Sequence, residues 1–236
     1  MGDYTNMSAY YDVIMTSGYY NYPKIVDALL HHGSINSVLE IGCGTGLILE
    51  EFASRQPQAT MTGIDLTASM LKIAEDRLKH FPNISLSQQN IIQLQLTQKY
   101  ELAYSYGGVW YFVIDGDNEP FMVSHLAKDA DNHNGLQQLT EHIESNGQLL
   151  LGVQGPHFDY EKVITNGMTY SQKILPCDDG FIKSYYLSDA STVVMSQTIH
   201  YRTYSFPEAL KLLAQYGFHY QHSAIKQPQF LEFRKQ

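Results

Sequence analysis

The chain has 236 residues, 44% of them apolar and 17% charged, which suffices for one substantial core and is too hydrophobic for intrinsic disorder. Lys and Arg number 15 against 24 Asp and Glu, so the net charge of −9 argues against unaided binding to phosphate backbones or anionic lipid, and neither a nucleic-acid nor a membrane partner is expected. Two cysteines, Cys43 and Cys177, cannot build a disulfide framework, no leader-like segment opens the chain, and its apolar runs fall far short of the about 20 residues that span a bilayer, so a cytoplasmic protein is expected.

From residue 35 onward, apolar runs of strand length alternate with segments of helical period, the pattern of a parallel sheet flanked by helices. Residues 37–41 read as a first strand, and Leu47, Ile48, Glu51 and Phe52 begin the helix after it. A second strand covers 60–65; Thr67 then caps a helix whose Met70, Leu71, Ala74 and Leu78 share one face, and Pro82 ends it. Residues 84–89 and 101–105 are predicted as the third and fourth strands, the latter closed by Gly107-Gly108. The spacing predicts a helical stretch over 118–145 with a polar middle at 129–135, then a fifth strand at 148–153. Between 155 and 204 helical spacing gives way to β-branched and aromatic runs separated by turns, read as an antiparallel β-rich cap inserted in the domain. A last helix opens at Phe206-Pro207 and runs to Gly217, and strands at 218–225 and 229–233 complete the sheet.

The chemistry is carried by Glu40-Ile41-Gly42-Cys43-Gly44-Thr45-Gly46, a G-x-G-x-G turn between strand and helix. A dinucleotide fold wants G-x-G-x-x-G, and the sixth position here is Leu47. Glycine backbone in this pattern suits a phosphate-free ligand whose amino-acid tail lies against it. Asp65, nineteen residues past Gly46, can accept both ribose hydroxyls. A nucleoside with an amino-acid tail describes S-adenosylmethionine.

Through residues 38–46 and 63–71 the chain resembles the class I S-adenosylmethionine-dependent methyltransferases, a likeness that extends over about 35–153 and more loosely to the last helix and hairpin. The resemblance implies an α/β, Rossmann-like, seven-stranded methyltransferase fold, with residues 1–34 as a helical lid and 35–236 as the cofactor-binding domain. Carried over, Gly42, Gly44 and Gly46 hold the methionine and ribose portion, Asp65 the ribose hydroxyls, and Leu66 and Met70 flank adenine. The acid usual after the third strand is replaced by Gln89-Asn90-Ile91, which leaves the adenine contact to Asn90 and Ile91. Loss of Asp65 is expected to weaken cofactor binding and leave folding nearly intact.

After the fourth strand, Ser105 is placed beside the cofactor and Tyr106 beside the acceptor, where base-methylating relatives carry an Asn/Asp-Pro-Pro-Tyr/Phe tetrad that this chain lacks. The glycine pair brings Trp110 and Tyr111 toward the acceptor, although Trp110 serves equally well as core. Of six tyrosines before the first strand, Tyr11 and Tyr20, with Tyr19, are candidates to touch the ligand from the lid, against simple helix packing. His157 follows the fifth strand, where the fold opens onto the acceptor, and is the candidate base; Tyr160 is placed near it, and His125 is a weaker candidate. The calcium-like run 129–135 has its glycine one place late and no closing Glu, and His31-His32 lack zinc spacing, so no metal is expected.

The function expected is methyl transfer to a nitrogen or oxygen of a small molecule, with a protein or carrier-bound substrate, or a non-methylating cyclase or binding protein, as alternatives. Cap strands outside the main sheet leave edges that a homodimer would cover.

Overall fold

The computed structural model describes residues 4–33, 35–222 and 228–236. A 3-10 turn at Thr5–Met7 leads into helices α1 (Ser8–Thr16) and α2 (Tyr22–Leu30), the second begun by Asn21, whose side chain accepts from Lys24 N. The alternating section follows as β1 (Ser37–Ile41), α3 (Leu47–Arg55), β2 (Thr60–Asp65), α4 (Ala68–Leu78), β3 (Ile84–Gln88) and β4 (Tyr100–Ser105). Next come β5 (Trp110–Val113), β6 (Phe121–Ser124), α5 (Asp129–Glu141) and the long β7 (Ile143–Gln154). The cap holds β8 (Tyr160–Val163), β9 (Thr169–Cys177), β10 (Gly180–Asp189) and β11 (Thr192–Ser205); α6 (Phe206–Gln215), β12 (Phe218–Gln221) and β13 (Phe230–Lys235) close the chain.

The main sheet runs β3-β2-β1-β4-β7-β13-β12, parallel as far as β7 and antiparallel after it. Its inner strands β1 and β4 are buried on both faces, as parallel strands between helices are. Val38, Leu102 and Leu150 pack on one face with α2 and α3, while Leu39, Ala103 and Leu149 pack on the other with α5 and α6. This alternation at adjacent positions puts the ends of β1 and β2 side by side, with Gly42 N and Cys43 N both donating to Ile64 O at 2.8 and 2.9 Å.

One expectation is corrected. The stretch 118–145 is not one helix: residues 121–124 form β6, and α5 ends at Glu141, after which β7 begins. Phe121-Met122-Val123-Ser124 is drawn into extended backbone by partners on both sides, β5 and β11. Sheet pairing here overrides a helical spacing that Leu136 and Leu139 carry into the core. The cap lies between β7 and α6 as antiparallel strands and is continuous with the main sheet. At its end β7 pairs with β5 through Phe112↔Val153, and a second sheet, β5-β6-β11-β10-β9-β8, grows from that junction. Since β11 pairs with β6 inside the chain, β8 is the cap's outer edge, where pairing with a second copy would have to occur. The strand expected over 218–225 is formed over Phe218–Gln221, and residues 223–227 lie outside the described residues. No helix among the described residues is long and apolar enough to cross a membrane.

Candidate active site

The glycine turn has Gly42, Gly44 and Gly46 at φ of +74°, +54° and +81°, in the left-handed region that favours glycine. It is also crowded: a Cβ on Gly42 would stand 3.0 Å from Gly108 Cα, and one on Gly108 would stand 2.4 Å from Ile41 O. Gly108 therefore folds directly against Gly42 of the first turn, a close approach that requires glycine at both positions.

Asp65, at the end of β2, accepts from Gly44 N at 2.9 Å and from Thr67 N at 2.8 Å. The Thr67 side chain and the Leu66 backbone also turn toward this carboxylate. Burial holds its carboxyl above the usual range, outweighing these backbone bonds. The two bonds tie the glycine turn to the start of α4, where the Thr67 side chain makes no cap. Asp65 is thus also part of the fold, contrary to the expectation that its loss leaves folding nearly intact.

A cavity opens beside this turn. Gly42, Gly44, Asp65, Leu66, Met70, Gln89 and Ile91 line one end. The 3-10 turn and α1 cover it, with Tyr4, Met7, Tyr11 and Met15 falling on one helical face toward the cavity. Asp12 anchors that cover: Thr45 Oγ1 donates to it at 2.6 Å and Arg77 pairs with it, while Arg77 also donates to Glu50 at 2.9 Å and to Thr45 O at 2.8 Å. Glycine backbone, a carboxylate and apolar Leu66, Met70 and Ile91 fit a nucleoside with an amino-acid tail.

The other end of the cavity is built by the second sheet. Tyr111 Oη and His157 Nε2 are 3.0 Å apart, His157 Nδ1 lies 3.3 Å from Lys183 Nζ, and Lys183 donates to Tyr19 Oη at 3.2 Å. The Lys183 ammonium also sits 4.8 Å from the centre of the Tyr185 ring. Tyr185 and Tyr201 hydroxyls are 2.7 Å apart, and Tyr4 joins Tyr201 at 3.0 Å. Burial pushes Lys183 down to about 7. Burial first, and Lys183 second, push His157 and His125 each down to about 3, which keeps both imidazoles neutral at pH 7. His157 therefore reaches the cavity but is a weak proton acceptor there. Burial holds Tyr11, Tyr20, Tyr111, Tyr185 and Tyr201 well above the usual phenol range, so they remain protonated donors.

Of the residues singled out in the sequence, Tyr11, Tyr20, Gly42, Gly44, Asp65, Leu66, Met70, Ile91, Tyr111 and His157 all line this one cavity. Others lie elsewhere. Trp110, 1% exposed, turns into the core, where its indole N–H donates to Asn132 Oδ1 at 2.8 Å. Asn132 lies within the run 129–135 and is also bonded to Ser124 and Leu126, a buried network that fixes the β6–α5 junction. Asn90 caps the 3-10 turn Ile91–Gln93 by accepting from Ile92 N, and its neighbour Gln89 reaches the cavity instead. Ser105 is fully buried behind Gly108, and Gly46 packs against Leu78. Tyr106 and Tyr160 line a neighbouring cleft, separated from the cavity by Tyr19, Tyr20, Gln154 and His157, which wall both.

Lys183 was the residue that sequence reading missed. Its signal is the alternation Phe181, Lys183, Tyr185, Leu187 along β10, all four buried, in which a lysine occupies an apolar face. On the far side of the cap Cys177, Asp179 and His200 also converge, with His200 Nε2 3.0 Å from Asp179, but that carboxylate is already shared with Arg202 at 3.6 Å.

Residues 38–147 match the family model described as a methyltransferase domain. Among curated proteins, a malonyl-[acyl-carrier protein] O-methyltransferase of Halalkalibacterium halodurans is 30% identical over 125 residues, 53% of this chain and 41% of that protein. A trans-aconitate 2-methyltransferase of Deinococcus radiodurans is 28% identical over 132 residues, covering 56% of this chain and 43% of its own. The chain thus spans less than half the length of these curated relatives. Among solved structures, DesVI of Streptomyces venezuelae superposes with a TM-score of 0.69 at 17% identity, covering 97% of each chain. A sugar N-methyltransferase of Streptoalloteichus sp. does so at 0.68 and 16% identity, over 100% of this chain and 93% of its own.

Proposed function

We propose that the chain is a class I S-adenosylmethionine-dependent methyltransferase that transfers a methyl group to a nitrogen or oxygen of a small molecule held in this cavity. The observation that carries the reading is that one cavity holds both halves of the requirement: the glycine turn with Asp65 at one end, and a polar, aromatic compartment at the other. The cofactor, when bound, supplies an electrophilic methyl on a sulfonium. The chain's own part is alignment and exclusion of water. Gly42, Gly44 and Asp65 hold the cofactor, Leu66, Met70 and Ile91 flank its base, and the helical cover tied down by Asp12 closes over it. Tyr19, Tyr111, His157 and Lys183 face the acceptor. An amine needs only its neutral form, and a hydroxyl needs a group to take its proton, a task to which His157, pushed down to about 3, is poorly matched.

A carrier-bound acceptor is the second reading, favoured by the names of the curated relatives and by the cleft beside His157, which offers a route from Tyr106 and Tyr160 to the cavity wall. Incubation with methyl-labelled cofactor, a metabolite panel and an acyl carrier protein discriminates them. Label in a metabolite supports the small-molecule reading and label in the carrier the second; tight cofactor binding with no transfer would leave a cyclase or binding protein on the same fold.

A further inference from the structure

The acceptor end of the cavity contains a charge without a counter-charge. Lys183 is 1% exposed, on the inward face of β10 between buried Phe181 and Tyr185. A buried ammonium is costly unless it is paired. Among the described residues no carboxylate stands within ion-pair distance of it; the cavity's one acid, Asp65, is at the cofactor end with an oxygen given to each of Gly44 and Thr67. Lys183 instead meets neutral groups. One N–H goes to Tyr19 Oη and a second to His157 Nδ1, an arrangement that puts the imidazole proton on Nε2, facing Tyr111 Oη. The third remains for the cavity. Because Tyr19 accepts from the ammonium, its own O–H is free to donate, so two donors stand 3.2 Å apart at one wall. Two adjacent donors, one of them charged, suit the two oxygens of a single carboxylate.

Charge balance points the same way. With a cationic cofactor at the other end, an ammonium-bearing acceptor would make a third positive charge in a space lined by phenols and neutral imidazoles, whereas a carboxylate offsets one. A phosphate dianion fits less well, since no arginine lines the cavity to receive it in a fork. We propose that Lys183, with Tyr19, is the anion anchor of the acceptor site, and that the acceptor carries a carboxylate that completes the ion pair left open by the fold. This rests on the methyl-transfer reading for its substrate, but the anion site itself is testable without turnover.

The test follows Lys183 Nζ by NMR in lysine-labelled protein loaded with S-adenosylhomocysteine, the signal assigned through Lys183→Arg. The titratable or polar groups facing it are Tyr19, Tyr111, Tyr185, Tyr201, His125 and His157, all neutral across pH 6 to 9 because burial raises the four phenols, Tyr19 included, and lowers the two imidazoles. Malonate, malonamide and inorganic phosphate serve as probes. Malonate is expected to saturate in the millimolar range and to raise the Lys183 titration midpoint by at least one unit, a tenfold tighter hold on its proton, while malonamide leaves it unmoved. Lys183→Met should bind malonate at least tenfold more weakly with its melting temperature undiminished, and Lys183→Arg within a few fold of the parent. No shift with malonate, an equal shift with malonamide, tighter binding of phosphate than of malonate, or unchanged malonate affinity in the Met variant would each overturn the anchor. Calorimetric titration of S-adenosylhomocysteine on the same sample reads the cofactor separately: a malonate response without cofactor binding would remove the methyl-transfer reading and leave the anion site standing.

Discussion

Replacing Asp65 separates what this carboxylate does for the fold from what it does for a ligand. Asp65→Ala leaves Gly44 N and Thr67 N without their acceptor. A hydrogen bond to a charged group contributes about 1.5–3 kcal/mol when buried; halving that for a half-buried carboxylate gives about 1.5 to 3 kcal/mol for the pair. In a chain of this size each kcal/mol moves the melting temperature by about 2–4 °C, so a fall of about 3 to 12 °C is expected. Asp65→Asn behaves differently. Burial holds the Asp65 carboxyl above its usual range, so the folded state binds this proton more tightly than the unfolded chain does. The contribution of that linkage to stability is present below the unfolded value and lost as pH rises through the folded one, which means the ionised form opposes folding at pH 7. Asparagine removes the charge and keeps one acceptor, so its melting temperature should stay within about 4 °C of the parent. Both variants lose the charged acceptor that ribose hydroxyls need, and S-adenosylhomocysteine should bind at least tenfold more weakly to each, about 1.4 kcal/mol or more. Thermal unfolding and calorimetric titration read the two effects. If Asp65→Asn is folded and binds S-adenosylhomocysteine within threefold of the parent, the cofactor end has been placed wrongly.

Asp12→Ala should release α1 from Thr45 and Arg77, seen as faster amide exchange over residues 8–16 and a severalfold loss of cofactor affinity, with a stability cost of only about 1 kcal/mol because the pair is partly solvated. Trp110→Phe should cost about 1–3 kcal/mol through the indole bond to Asn132 while leaving ligand affinity unchanged, since the ring lies outside the cavity; a changed affinity at unchanged stability would return Trp110 to the site. Lys183 has a folded value of about 7, below that of an unfolded lysine, so the folded chain binds fewer protons above it and stability should rise with pH from about 7 toward about 10 relative to Lys183→Met, by at most about 1.4 kcal/mol per unit. Denaturant melts of both proteins at pH 6, 7, 8 and 9 measure that difference, and parallel curves would show that Lys183 stays charged or is solvated.

The glycine-turn end of the cavity was legible in the sequence because local rules govern it. Parallel strands buried on both faces announce themselves as short apolar runs, a strand-to-helix turn needing positive φ selects glycine, and a carboxylate at the end of the next strand follows at short separation, so Gly42, Gly44 and Asp65 fall together, with Leu66 and Met70, which the family resemblance supplied, lining the same end. The acceptor end was decided by tertiary structure. Residues 118–124 were read as helix because their pattern fits either period, and only the partners β5 and β11 hold Phe121–Ser124 extended. That pairing sets which way β5 faces, so Tyr111 points into the cavity and its neighbour Trp110 into the core, a one-residue phase that no local pattern specifies. It also joins the cap to the main sheet, carrying Lys183 on β10 to within hydrogen-bonding reach of Tyr19 and His157, residues 164 and 26 positions away. Contacts made across such separations depend on which sheets join and which faces meet, and those are fixed by burial summed over the whole chain rather than by the residues that end up touching.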